Sequence, residues 1–167
     1  MRLALFQPDI PQNLGSAIRL CACLGVGLDI IEPCGFPLDD KSIRRAAMDY
    51  GAQADVTRHD SWTAFRAHAD THHGGPKTGG RLLLFTTKGA VPYHSFTFQP
   101  DDILLMGRES AGVPPEVHDA AAARLIIPMR PGLRSINVIN SAAMALGEAL
   151  RQTGGFAGPE GLRAVPE

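Results

Sequence analysis

The chain has 167 residues, a length that suits one domain around one core. Its hydrophobic content of 44% and charged content of 20% are those of an ordinary soluble globular protein. A formal net charge of -1 excludes a globally basic nucleic-acid binder, so any RNA surface must be a local patch.

The first apolar run, Leu3 to Phe6, is stopped by Pro8 and Pro11 and reads as a buried strand. Residues 1 to 6 are too few for the apolar region of a signal peptide, and no later run is long enough to span a bilayer. The expectation is a soluble cytoplasmic protein without membrane contact. Asn13 is expected to cap a helix reaching about Leu24, closed by Gly25 and Gly27, with Leu14, Ala17, Ile18, Cys21 and Leu24 at helical spacing. Leu28 to Ile31 reads as a second strand. Asp39-Asp40 then opens a helix bearing Lys41, Arg44 and Arg45, its acids placed at the positive end.

Ala54 to Thr57 is expected as a short strand, and Ser61 as the cap of a helix from Trp62 to about His68. Residues 70 to 80 are a glycine-rich loop. Leu82 to Phe85, Ile103 to Met106 and Leu125 to Ile127 read as strands. Pro114-Pro115 begins a short helix, and a longer one runs from about Asn137 to Gln152 with Ile139, Ala142, Ala143, Leu146 and Leu150 as its apolar stripe. The tail from Thr153 is rich in Gly and Pro and is expected to be loosely held. Strands alternating with helices from end to end predict an α/β fold with a mostly parallel sheet covered on both faces.

In such sheets ligands bind beyond the carboxyl ends of the strands, which directs attention to the loops after Phe6, Phe85, Met106 and Ile127. The first holds Asn13, Gly15 and Arg19, which together can present amide donors and a guanidinium to a phosphate; taken alone, a capped helix with a surface arginine is the favoured reading. The second, Thr86-Thr87-Lys88-Gly89, lacks the glycine spacing of a P-loop and reads either as a ligand-facing turn or as a plain strand-end turn. The third, Gly107-Arg108-Glu109-Ser110-Ala111-Gly112-Val113-Pro114, sets an acid between two glycines at a strand end, where Gly107 leaves room for a flat ligand. The fourth runs irregularly from Pro128 to Asn137, and a helix cap accounts for only one of Ser135 and Asn137.

The cysteines Cys21, Cys23 and Cys34 are odd in number and argue for a reducing compartment. Cys21-Ala-Cys23 lacks the spacing of a redox or zinc pair and reads as small buried residues. His68, His72 and His73 straddle a helix end and a glycine loop, so no metal site is assigned to them. Trp62 and Phe65, at helical spacing, read as core.

The loops in combination resemble the SPOUT class of RNA methyltransferases. The resemblance rests on Asn13-x-Gly15-x-x-x-Arg19, on Leu105 to Pro114, and on Ile127-Pro128-Met129 followed by Ser135 to Ala142, and it covers residues 1 to about 152. It implies one methyltransferase domain over residues 1–155, a tail over 156–167, and a C-terminal trefoil knot. Ile31-Glu32-Pro33-x-Gly35-Phe36, Asp40-Lys41-x-x-Arg44-Arg45-Ala46, Asp49-Tyr50, Val56-Thr57-Arg58-His59 and Thr86 to Gly89 look like the small single-domain subgroup. That subgroup is a homodimer that methylates the 2′-hydroxyl of the wobble cytidine or uridine of leucine tRNAs with S-adenosylmethionine. Two departures stand out: Ile136 and Ile139 replace residues that are often Met or Leu and Ser, and the stretch 68–80 is long and glycine-rich.

The resemblance implies that Phe85, Gly107, Ile127, Met129 and Ser135 hold the cofactor. Catalytic roles fall to Arg19, Glu109 and Asn137. Because a free arginine is a poor base, Arg19 is expected to clamp phosphate or ribose rather than take a proton. The tRNA anticodon stem-loop is expected to meet Asn13, Lys41, Arg44, Arg45, Arg58, Lys88, Arg130 and Arg134, with phosphate contacts supplying most of the affinity. A methyltransferase acting on ribosomal RNA or another tRNA ribose, and a non-catalytic cofactor- or RNA-binding protein, are the alternatives.

Overall fold

The computed structural model describes residues 1–38, 54–72 and 80–157. The expected helix with Lys41, Arg44 and Arg45, and residues 73–79 of the expected 70–80 loop, lie outside these residues, whereas residues 70–72 are helical rather than loop.

Seven strands form one sheet: β1 (Arg2–Phe6), β2 (Gly27–Ile31), β3 (Val56–His59), β4 (Leu82–Phe85), β5 (Val91–Pro92), β6 (Ile103–Met106) and β7 (Ala123–Ile126). Their order is β3-β2-β1-β6-β4-β7-β5, and each neighbouring pair is parallel. The helices are α1 (Pro11–Leu24), α2 (Trp62–His72), α3 (Pro115–Asp119) and α4 (Val138–Thr153).

The near-continuous apolar strands follow from burial on both faces. Leu3 and Leu5 of β1 point to one side with Leu28, Ile30, Leu83, Leu104 and Met106, where α1 supplies Leu14, Ala17 and Ile18 and α4 supplies Ala142, Leu146 and Leu150. Ala4 and Phe6 point to the other side with Ile31, Leu84 and Leu105, under Phe65 of α2 and Val117 of α3. Phe65 is fully buried and its ring lies 5.5 Å from that of Trp62, as expected of core residues.

Strands β4 and β6 fall where the sequence places them, residue for residue. Helix α1 does not. It starts at Pro11, which occupies the first turn with its φ already helical, and Ile10 precedes it without a side-chain cap. Asn13 therefore lies inside the first turn, and its side chain is free for tertiary bonds. Gly25, at φ +66°, closes α1 in the left-handed conformation expected of it. Strand β3 begins two residues later than expected, and β7 spans Ala123–Ile126 rather than 125–127. In α4 the buried stripe includes Ala145 and Ala149, whereas Ala143 is exposed. Of the Cys21-Cys23 pair only Cys21 is buried, and burial pushes its thiol up to about 12; Cys23 is exposed.

Strands β1, β2 and β3 are tied together by an ionic cluster centred on the buried Arg2 and Asp29. Arg2 Nε donates to Asp29 Oδ2 at 2.6 Å, Arg2 Nη1 to Asp55 Oδ2 at 2.6 Å, and His59 Nε2 lies 2.8 Å from Asp29 Oδ1. Burial works against the Arg2 charge, but its hydrogen bonds and charge contacts with Asp29 and Asp55 outweigh that and hold its pKa above the ordinary value. Among the described residues, no helix is long and apolar enough to cross a membrane.

Candidate active site

The parallel order sends every strand's carboxyl end to the same edge of the sheet. Strands β6, β4 and β7 are adjacent, with Phe85 in register with Met106 on one side and Leu125 on the other. Phe85, Gly107 and Ile127 thus stand at or just past three neighbouring strand ends. Met129 and Ser135 follow in the irregular loop from β7 to α4.

The turn after β6 is shaped by its glycines. Arg108 and Gly112 exchange two backbone hydrogen bonds, each 2.9 Å. A Cβ on Gly107 would stand 2.9 Å from the Gly112 carbonyl carbon, too close for the turn to close, and Gly112 has φ +70°. After β4, Gly89 packs so tightly that a Cβ would lie 2.6 Å from the Leu125 carbonyl carbon, which presses the Thr86-to-Gly89 turn onto β7.

Three loops meet through one chain of side-chain bonds. Asn137 caps α4, its Oδ1 accepting from the backbone N–H groups of Ile139 (2.8 Å) and Asn140 (3.4 Å). That commitment leaves Nδ2 as the donor, and it reaches Asn13 Oδ1 at 3.0 Å. Asn13 Nδ2 in turn donates to Glu109 Oε1 at 2.8 Å. The polarity of the whole chain is set by the α4 backbone at one end and satisfied by a carboxylate at the other. Of Ser135 and Asn137, the cap is Asn137.

Glu109 Oε2 accepts the Asp9 backbone N–H at 2.8 Å. With an acceptor role on each oxygen, Glu109 is suited to hold Asn13 and the loop after β1 in place rather than to take a proton from a substrate. Asp9 itself pairs with Arg108, whose Nη2 and Nε lie 2.8 and 3.2 Å from Oδ1, and Oδ2 accepts from the Ser110 backbone N–H at 3.1 Å and from the Ser110 hydroxyl. Hydrogen bonds from Ser110 and then Arg108 hold the Asp9 carboxyl below its ordinary pKa. Residue-by-residue sequence reading did not single out Asp9. Its only signal was its place in the loop after the first strand.

Arg19 is exposed on α1, one turn beyond Gly15 and on the same helical face. Lys88, Arg130 and Arg134 are exposed in the loops after β4 and β7, at the sheet edge that carries the site. Arg58, near the carboxyl end of the edge strand β3, is ion-paired with Glu32 at 3.0 Å.

The cofactor that the resemblance implies can be tested against this loop chemistry. Between β7 and α4 the chain turns without helix or strand, and Leu133 and Ile136 expose 66% and 39% of their surface. Exposed apolar side chains on irregular backbone, next to a glycine turn that a Cβ would break, fit an adenine ring read by amides and covered on its faces. The residues present fit S-adenosylmethionine.

The sequence model of the SpoU rRNA Methylase family matches residues 1–147. A tRNA (cytidine(34)-2′-O)-methyltransferase of Beijerinckia indica is 61% identical over 155 residues, covering 93% of each chain. One from Escherichia coli is 40% identical over 156 residues, 92% of this chain and 94% of the other. A solved structure concerned with 2-OH methylation of C/U34 on tRNA superposes with a TM-score of 0.80 at 38% identity, covering 90% of this chain and 94% of that one. A SpoU methyltransferase of Streptomyces viridochromogenes in complex with AdoMet gives a TM-score of 0.80 at 26% identity, over 91% of this chain and 60% of that one.

Proposed function

Since this chain belongs to the SpoU rRNA Methylase family, we propose that it methylates the ribose 2′-hydroxyl of the nucleoside at position 34 of tRNA, the first anticodon position, using S-adenosylmethionine. The observation that carries this reading is the Asn137–Asn13–Glu109 chain, which locks three motif loops together at the carboxyl edge of the sheet. The near-complete coverage of relatives named for tRNA modification favours tRNA over ribosomal RNA.

When bound, S-adenosylmethionine would supply an electrophilic methyl group, the ribose oxygen bonding to the methyl carbon as the carbon–sulfur bond breaks and the neutral thioether leaves. Phe85, Gly107, Ile127, Met129 and Ser135 would hold it through backbone groups and apolar contact. Arg19 serves as a clamp on the phosphate or ribose, because a guanidinium charge orients an anion and is a poor base. Glu109 and Asn137 act through Asn13, fixing the first turn of α1 and hence the helix that carries Arg19. Alignment of oxygen, methyl carbon and sulfur is the main task of the protein in such a transfer.

Leucine tRNAs are the proposed substrates, entering through the anticodon stem-loop with its unpaired wobble base. Lys41, Arg44, Arg45, Arg58, Lys88, Arg130 and Arg134 are proposed to contact their phosphates, and a homodimer would join two such patches into one footprint. The same family likeness supports a single domain over residues 1–155 with a C-terminal trefoil knot, and a cytoplasmic enzyme.

The test is incubation of the purified protein with labelled S-adenosylmethionine and unmodified leucine tRNAs, followed by nuclease digestion and mass spectrometry. Label on the ribose of nucleoside 34, lost with Arg19→Ala, is the expected result. Absence of label from every tRNA while the cofactor still binds would overturn the reading and redirect it to ribosomal RNA or to binding alone.

A further inference from the structure

Asp9 touches three consecutive residues of the loop after β6. Its carboxylate takes the Arg108 guanidinium on one oxygen and the Ser110 backbone N–H and hydroxyl on the other, while its own backbone N–H goes to Glu109 between them. These partners lie 99 to 101 residues away in the chain. The surroundings fix Asp9 in turn. Gly35 N–H donates to the Pro8 carbonyl at 2.9 Å, and a Cβ on Gly35 would stand 3.0 Å from Asp9 Cα. Gln7 is held at φ +46°, a left-handed conformation that non-glycine residues adopt at a cost, and its Oε1 lies 3.4 Å from Arg108 Nη1.

We propose that Asp9 is a positioning residue for methyl transfer: it sets the height and rotation of the 108–110 turn, and thereby the Glu109 carboxylate that orients Asn13. The strained entry at Gln7 and the close packing at Gly35 belong to the same device, since both aim residue 9 at that turn. Loss of the carboxylate frees Arg108 and Ser110 and lets Glu109 move relative to α1. Because Asp9 acts through Glu109, its effect falls on the rate of transfer from the assembled complex and not on capture of tRNA.

This inference rests on the methyl-transfer reading, and its test separates the two. Wild type, Asp9→Asn, Asp9→Ala and Arg108→Ala are compared at saturating S-adenosylmethionine for kcat and for KM toward tRNA. A core variant on the opposite sheet face, Phe65→Leu, serves as a control for stability alone. The expected outcome is a fall in kcat of about 10- to 100-fold for Asp9→Asn, with KM changed less than about threefold, as sub-ångström misplacement of reacting groups predicts. Arg108→Ala should lose less, because Asp9 keeps Ser110 and Glu109, and adding Asp9→Ala to it should cost less than the product of the two single losses.

Asp9→Asn with kcat within twofold of wild type would overturn the proposal. So would an equal kcat loss in Phe65→Leu at a matched melting temperature, or a change confined to KM. If Asp9→Ala does not fold, Asp9→Asn, which keeps the side chain's volume, decides the matter. A wild-type protein that methylates no tRNA refutes the functional reading instead.

Discussion

Asn137 and Asn13 face each other across 124 residues of chain, Nδ2 of one donating to Oδ1 of the other at 3.0 Å. The first caps a helix, and the second sits in the opening turn of another. Capping and bridging can be separated by substitution. Asn137→Asp keeps an oxygen for the α4 backbone but removes the donor that Asn13 requires. Asn137→Ala removes both.

Asn137→Asp should therefore unfold thermally within a few degrees of wild type while losing most methyl transfer. Asn137→Ala should lose activity and also about 1 kcal/mol of stability from the missing cap. Parallel melting curves and single-turnover assays give the comparison. Equal melting losses in both variants would show that the bridge, and not the cap, governs stability here.

Gly107→Ala should weaken cofactor binding by at least roughly tenfold. The added Cβ would meet the Gly112 carbonyl carbon at 2.9 Å, so the two Arg108–Gly112 backbone bonds cannot both persist. Opening the turn misplaces amides at about 1.4 kcal/mol per decade of affinity. Calorimetric titration with S-adenosylmethionine measures it, and unchanged affinity would remove Gly107 from the cofactor loop.

Asp29→Asn should destabilise the fold by roughly 3 kcal/mol, near the low end for a buried pair that loses one partner, because Arg2 keeps Asp55. Asp29 is fully buried, whereas the Asp55 side chain is two-thirds exposed. Asp55→Asn should accordingly cost less than about 1 kcal/mol. Urea denaturation of the two variants tests the contrast, and similar losses would contradict it.

Asp9 gives a pH signature. Its folded pKa is lowered from 3.8 by Ser110 and Arg108, so its contribution is present above the unfolded value and disappears as pH falls through the folded one. The stability gap between wild type and Asp9→Asn should stay constant from pH 7 to pH 5 and narrow on acidification below 3.8. Urea midpoints across that range report it. A gap that widens in acid would mean that Asp9 is better stabilised protonated.

Strands β4 and β6 were legible because burial on both faces leaves four apolar residues in a row between polar turns. The start of α1 was not, because Pro11 and Asn13 both signal a helix start and the tertiary demand on Asn13 decides between them. Strand β5, two residues ending in proline, carries no periodicity to read. The site's loops were visible as glycine-flanked polar stretches at strand ends. Asp9 was not, since nothing near it in the chain announces partners at 108 to 110.

The pairing of β1 with β6 also sets a timetable for the nascent chain. Arg2 is made about a hundred residues before its neighbour Ile103. On one side β1 can zip to β2 early; on the other it must wait as a raw edge, open to wrong partners, until β6 arrives. Closure of the sheet brings Glu109 to Asn13, and only synthesis of residue 137 delivers the cap that completes the chain of bonds. The carboxyl edge of the sheet is therefore joined up late, and a chain truncated before α4 lacks both the Asn137 cap and that helix's share of the core.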